Sequence, residues 1–151
     1  MSKQVEFHFI NPEESSGYLL WQVTMLWQRK IKKGLDKLEI TQTQFVLLAT
    51  LAWLSKTNKT VTQVDIANHS NTDRMMVSKV LRTLQDKELI GRQEHETDTR
   101  AKTISLTKNG QTTLQKAIKI VEQIDNDFFL VLKTQTKSFN SNMQTLITEN
   151  E

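Results

Sequence analysis

Residues 62–84 read TQVDIANHSNTDRMMVSKVLRTL, and residues 89–110 read LIGRQEHETDTRAKTISLTKNG. The first stretch holds two helices around a turn. Val64, Ile66 and Ala67 are the apolar positions of a short helix over Gln63 to Asn68, and His69-Ser70-Asn71-Thr72 has the polar composition of a turn. The next helix runs from Asp73 to about Lys87, because Val77, Val80, Leu81 and Leu84 recur at i, i+3, i+4 and i+7. In the second stretch, Leu89-Ile90-Gly91-Arg92 and the alternating Thr103-Ile104-Ser105-Leu106 flank a polar segment, Gln93 to Lys102, as two strands flank a hairpin loop. Short helix, turn, helix, hairpin is the order of a winged helix-turn-helix.

Longer helices lie on both sides. Asn11-Pro12 marks a boundary, and a helical pattern then runs from Glu13 to about Lys33 through Tyr18, Leu19, Trp21, Met25, Leu26 and Ile31, with Gly34 as its expected stop. Thr41 is the expected N-cap of a helix from Gln42 to Ser55. That helix carries Phe45, Leu47, Leu48, Leu51, Ala52 and Leu54 and is apolar nearly all round, so it should be central and well buried. Thr107-Lys108-Asn109-Gly110 opens a C-terminal helical region, in which Leu114, Ile118, Val121, Ile124, Phe128, Leu132, Phe139, Met143 and Leu146 keep helical spacing through a long helix and a last one. Four glycines and one proline leave such helices uninterrupted.

The expected fold is mainly α with a small β-hairpin. One domain spans residues 1–151, with a winged lobe over 41–110 (recognition helix about 73–87, wing about 89–106) and a helical region built from 13–35 and 111–151. The stripes on the flanking helices are too apolar to face water, which predicts a twofold homodimer.

Composition narrows the classes. The 151 residues include no cysteine, which excludes disulfides and a thiol redox switch and suits the cytoplasm. The opening residues, MSKQVEFHFINPEESSGYLL, lack the basic start and apolar core of a signal peptide. The most apolar run, Phe45 to Leu54, is too short to span a bilayer, so no membrane partner is expected. A net charge of +3 and a pI near 9.2 permit a nucleic-acid partner without requiring one, so the argument turns on where the charges sit.

They sit on the outer face of the Asp73–Lys87 helix. Arg74, Ser78 and Arg82 recur at i, i+4 and i+8 opposite the apolar face, with Met75 and Lys79 beside them. Arginine and lysine hold phosphates or guanine edges, Ser78 can donate to a phosphate, and Met75 can touch a thymine methyl. On the hairpin, Arg100 is placed to enter an adjacent minor groove, and Asp98 can orient its guanidinium. Thr72 at the turn and Lys102 at the hairpin complete the candidate DNA-contacting set. Glu94, Glu96 and Asp98 make the loop less basic than a simple phosphate clamp.

Together these segments resemble the MarR family of transcription regulators. The stretch from Ile66-Ala67 through Val77-Ser78-Lys79-Val80-Leu81-Arg82-Thr83-Leu84 matches the family's helix-turn-helix. Leu89-Ile90-Gly91-Arg92, then Asp98-Thr99-Arg100-Ala101-Lys102, then Leu106-Thr107-Lys108-Asn109-Gly110 match its wing and the turn that follows. The resemblance covers roughly Glu13 to Glu151, with the sharp motifs in residues 62–110. It implies a dimer held by the terminal helices, a recognition helix in the major groove and Arg100 in the minor groove of a pseudo-palindromic operator. One departure is Glu88, which stands where the family usually has glycine; in a left-handed conformation a non-glycine residue costs about 1 kcal/mol.

The family's members commonly release DNA on binding a small molecule, on thiol oxidation or on metal binding. Without cysteine, and with only His8, His69 and His95, a small aromatic or lipophilic effector is the expected signal. Trp21, Met25, Phe45 and Trp53 are candidates to line its site, or else belong to the core or the dimer interface. No cofactor or metal site is expected. An enzyme finds no support, because the three histidines are scattered and neither a Gly-rich phosphate loop nor an H-E-x-x-H motif occurs. A winged-helix protein–protein adaptor remains the alternative, although it would not need the stripe of Arg74, Lys79 and Arg82. RNA binding would call for stacking aromatics that this face lacks.

Overall fold

The computed structural model describes residues 4–94 and 102–151. Helix α1, Ser16–Leu35, starts where Ser15 Oγ accepts a hydrogen bond from Tyr18 N at 3.2 Å. A 3-10 turn, Pro12–Glu14, precedes it. Gly34 is not its stop. It lies buried inside the helix, where an added Cβ would sit 2.6 Å from Ile124 Cδ1 and 2.7 Å from Ile120 Cγ2, so its role is close approach to a neighbouring helix. The reversal falls later, at Glu39, whose φ of 57° is left-handed.

Helix α2, Gln42–Leu54, begins with a capping box: Gln44 N donates to Thr41 Oγ1, and Thr41 N donates back to Gln44 Oε1, both at 3.1 Å. Leu47, Leu48 and Leu51 are wholly buried at the centre of the core, as expected of an apolar helix. Val46 and Trp53 nevertheless face solvent, so the helix is central without being covered on every side.

Helix α3, Gln63–Ser70, is two residues longer than the sequence suggested. Thr62 and Asp65 form a second capping box at its start, and Asn71 at φ 52° ends it. Asp73 then caps α4, Arg74–Asp86, its Oδ1 accepting from Met75 N and Met76 N. Val77, Leu81 and Leu84 bury one face of α4 against the core. The helix ends in a Schellman motif, in which Leu89 N donates to Leu84 O and Glu88 N to Gln85 O. Its left-handed position is Glu88, at φ 62°, where glycine is the usual solution.

Strands β1, Ile90–Glu94, and β2, Lys102–Leu106, pair antiparallel with Ile90 opposite Leu106 and Arg92 opposite Ile104. The hairpin is fastened to α3 as well: Ile104 N donates to Val61 O at 2.8 Å, and Thr62 bridges to Thr103. Thr107 caps α5, Lys108–Phe129, through Gly110 N, and ties it to the α4–β1 turn by donating from Oγ1 to Glu88 O and from N to Leu89 O. Leu114, Ala117 and Val121 complete the core against α1 and α2. Trp27 Nε1 also donates to Asp125 Oδ1 at 2.7 Å, joining α1 to α5.

The C-terminal pattern divides in two, as expected. A 3-10 segment, Leu130–Gln135, with Lys133 at φ 52°, separates α5 from α6, Thr136–Asn150. No residue of α6 is buried within the single chain. Among the described residues, no helix is long and apolar enough to cross a membrane.

Candidate nucleic-acid interface

Because α4 turns Val77, Leu81 and Leu84 inward, its opposite face is left to solvent. Arg74, Met75, Lys79 and Arg82 are exposed there, and Ser78 is half-buried among them. Met75 is 82% exposed and Met76, beside it in the first turn, 50%. Exposed thioethers in the first turn of such a helix suit contact with thymine methyls. Met76 was not among the residues expected from the sequence.

Arg74, Ser78 and Arg82 form one wall of a cleft of about 420 Å³. Thr62, Gln63 and Val64 at the start of α3 line it too, together with Arg92 of β1 and Lys102 of β2. Helix, helix and hairpin therefore meet at one concave surface. Among the described residues it carries four cations and no carboxylate. The one salt bridge among the described residues, Lys32 to Asp36 at 2.9 Å, lies on α1 away from this face. Cationic groups gathered in a cleft focus positive potential outward and favour an anionic partner.

Four of the expected DNA-contacting residues, Arg74, Ser78, Arg82 and Lys102, thus share the cleft. Met75 and Lys79 stand on the same helix outside its lining. Thr72 is half-buried, its Oγ1 donating to Ser70 O at 3.2 Å, which commits the hydroxyl to the turn. Arg100 and its neighbours Asp98, Glu96 and His95 lie outside the described residues. Sequence reasoning missed Arg92 and Gln63. The signal was an arginine two residues after Ile90, on the strand face that turns toward the body.

The four candidate effector residues are dispersed. Met25 lines a cavity of about 380 Å³ between α1 and the start of α2, with Gln28, Arg29, Lys32, Asp36, Thr41 and Gln42. None of the other three lines it. Phe45 packs half-buried against the core. Trp21 and Trp53 are open to solvent in the single chain, and the Lys56 ammonium lies 4.8 Å from the centre of the Trp53 ring.

A helix-turn-helix fastened to a two-stranded hairpin, with its second helix presenting cations outward, defines a winged-helix protein. Comparison with known proteins narrows the class. Residues 36–124 match the family model described as ArnR1-like, winged-helix domain. The chain is 41% identical over 145 residues to the uncharacterized HTH-type transcriptional regulator YdcH of Bacillus subtilis (strain 168), covering 95% of this chain and 98% of that protein. Its fold matches S. aureus MepR in a DNA complex with a TM-score of 0.82 at 25% identity, over 89% of this chain and 98% of that one. A mutant of E. coli MarR in complex with operator DNA shares the fold at 19% identity, with a TM-score of 0.76 over 87% and 91% of the two chains. The chain belongs to the MarR family of winged helix-turn-helix transcription regulators.

Proposed function

We propose that this regulator binds duplex DNA as a twofold dimer, reading a pseudo-palindromic operator as a cytoplasmic repressor that a small aromatic or lipophilic molecule releases. The observation that carries the DNA reading is the cleft in which Arg74, Arg82, Arg92 and Lys102 meet with no carboxylate among the described residues. In this reading residues 41–110 form the DNA-reading lobe. Helix α4 enters the major groove, Arg74, Met75, Ser78, Lys79 and Arg82 face it, and the hairpin brings Arg100 and Lys102 toward the neighbouring minor groove. MepR in complex with DNA, at the same fold, is consistent with this docking.

Residues 13–35 and 111–151 are assigned to the dimer. Helix α1 exposes Tyr18, Leu19, Leu20, Trp21, Val23 and Leu26, and α6 leaves Leu146 and Ile147 in water, a cost that a second copy would remove. For release by a small molecule, the supporting observation is the Met25 cavity, whose roughly 380 Å³ lies within the range of ligand pockets.

The test is a fluorescence-anisotropy titration of duplex DNA at two salt concentrations, with Arg82→Ala and Lys79→Ala beside the parent. A base contact by Arg82 predicts a loss of about 1–3 kcal/mol on cognate duplex and relaxed sequence preference. A phosphate contact by Lys79 predicts weakening on every duplex, with the salt slope flatter by about one ion. If both variants bind as tightly as the parent while keeping its melting temperature, the protein–protein adaptor reading takes over.

A further inference from the structure

The sequence reading placed DNA contacts on α4 and the hairpin loop, but the floor of the cleft belongs to neither. It is made by Arg92 and by the first turn of α3. Arg92 Nη2 donates to Gln63 Oε1 at 2.6 Å, fixing the guanidinium against α3. Its Nε is buried and has no acceptor among the described residues. A buried cationic N–H without a partner costs free energy, so it marks a place where an acceptor is missing. Next to it, the first-turn amides of Gln63 and Val64 have no acceptor among the described residues, because the Thr62–Asp65 capping box occupies Thr62 N and Asp65 N only. Arg74 and Arg82 close the cleft from α4 and Lys102 from β2, and among the described residues no carboxylate lines it.

We infer that this cleft is a seat for a single backbone phosphate of the bound duplex, with Arg92 its central ligand and Gln63 the residue that positions Arg92. The inference rests on the DNA-binding reading above. A phosphodiester suits this set of donors: it is anionic, offers two unesterified oxygens to a guanidinium fork, and suits free amides at a helix start. The cleft opens on the same face as Arg74, Ser78 and Arg82, so one strand can run from groove to seat without leaving the protein. The seat also has a mechanical role. Arg92–Gln63 and the Ile104–Val61 backbone bond both join the hairpin base to α3, so a phosphate held there registers α4 and the hairpin on the duplex together.

The test uses the full-length protein, fluorescein-labelled duplex of mixed sequence, and anisotropy at a series of chloride concentrations, with thermal melting as a check on folding. Arg92→Gln should bind about 10- to 100-fold more weakly, alike on all sequences, with the salt slope shallower by about one ion. Gln63→Glu separates a phosphate seat from a structural tie. It keeps an acceptor for Arg92, and a carboxylate suits the first turn of a helix, so the protein should melt no lower than the parent. It also puts a negative charge in the cleft, and DNA binding should fall by a similar factor. Normal affinity and normal salt slope in folded Gln63→Glu overturn the seat, while duplex binding by the parent leaves the DNA reading standing. Should Arg92→Gln fail to fold, Gln63→Glu decides alone. A parent that binds no duplex at either extreme of salt removes both.

Discussion

Replacing Gly110 by alanine is expected to unfasten the hairpin from α5. At an open helical position the change would stabilise by about 1 kcal/mol, because alanine is the better helix former. Here the new Cβ would sit 1.9 Å from Leu89 O and 2.9 Å from Leu89 C. Ordinary contact begins near 3.4 Å, so α5 and the Leu89 carbonyl must part by about 1.5 Å. That carbonyl accepts from Thr107 N at 3.1 Å, and Thr107 Oγ1 donates to Glu88 O at 2.7 Å. The shift costs about 1 kcal/mol for each bond lost and about 1–3 kcal/mol for the overpacking. Set against the helix gain, the net loss is about 2–4 kcal/mol, or roughly 4–16 °C in melting temperature for a chain of this size. Thermal melts followed by circular dichroism, at matched protein concentration, measure it. Gly17→Ala is the control: nothing lies within 4 Å of its added Cβ, and it should melt at or slightly above the parent. If Gly110→Ala melts as high as Gly17→Ala, Leu89 does not lie against α5 as described.

Other perturbations follow from the same geometry. Glu88→Gly relieves the left-handed position at φ 62° and should stabilise by about 1 kcal/mol, read as a melting temperature higher by roughly 2–4 °C; an unchanged or lower value would contradict the strain. Removing residues 139–151 takes away most of α6, and sedimentation at micromolar concentration should then show the shortened single chain gaining ground over its dimer. A parent that sediments only as the single chain would contradict the dimer itself. In a chain without cysteine, low peroxide should leave DNA affinity unchanged, with methionine oxidation only a slow route; rapid loss that a dithiol reverses would be incompatible with this composition.

The parts of the fold that depend on local chemistry were legible in the sequence. Val77, Val80, Leu81 and Leu84 fixed which face of α4 turns inward, and hence that Arg74, Ser78 and Arg82 turn outward. Thr41 was readable as a cap because a threonine before an apolar-periodic run has few other local uses. Gly34 was misread for a physical reason. A glycine near a helix end fits both a stop and a close packing contact, and only the position of Ile120 and Ile124, some ninety residues on, decides between them. Arg92 was missed on similar grounds: its place two residues after Ile90 marks the inward strand face, but its partner Gln63 is 29 residues away. The apolar character of Trp21, Met25, Phe45 and Trp53 was plain, whereas their distribution over separate surfaces depends on how α1 and α2 pack.

The central claim is that α4 and the hairpin read DNA sequence as a symmetric pair. The most direct measurement is selection of bound duplexes from a random-sequence pool by the purified full-length protein at physiological salt, followed by sequencing. The account predicts enrichment of a twofold-symmetric site whose half-sites lie about one helical turn, or 10 base pairs, apart, with the preference at one base position of each half-site lost in Arg82→Ala. Recovery of a pool no different from the input, or of an asymmetric site unaffected by Arg82→Ala, would contradict it.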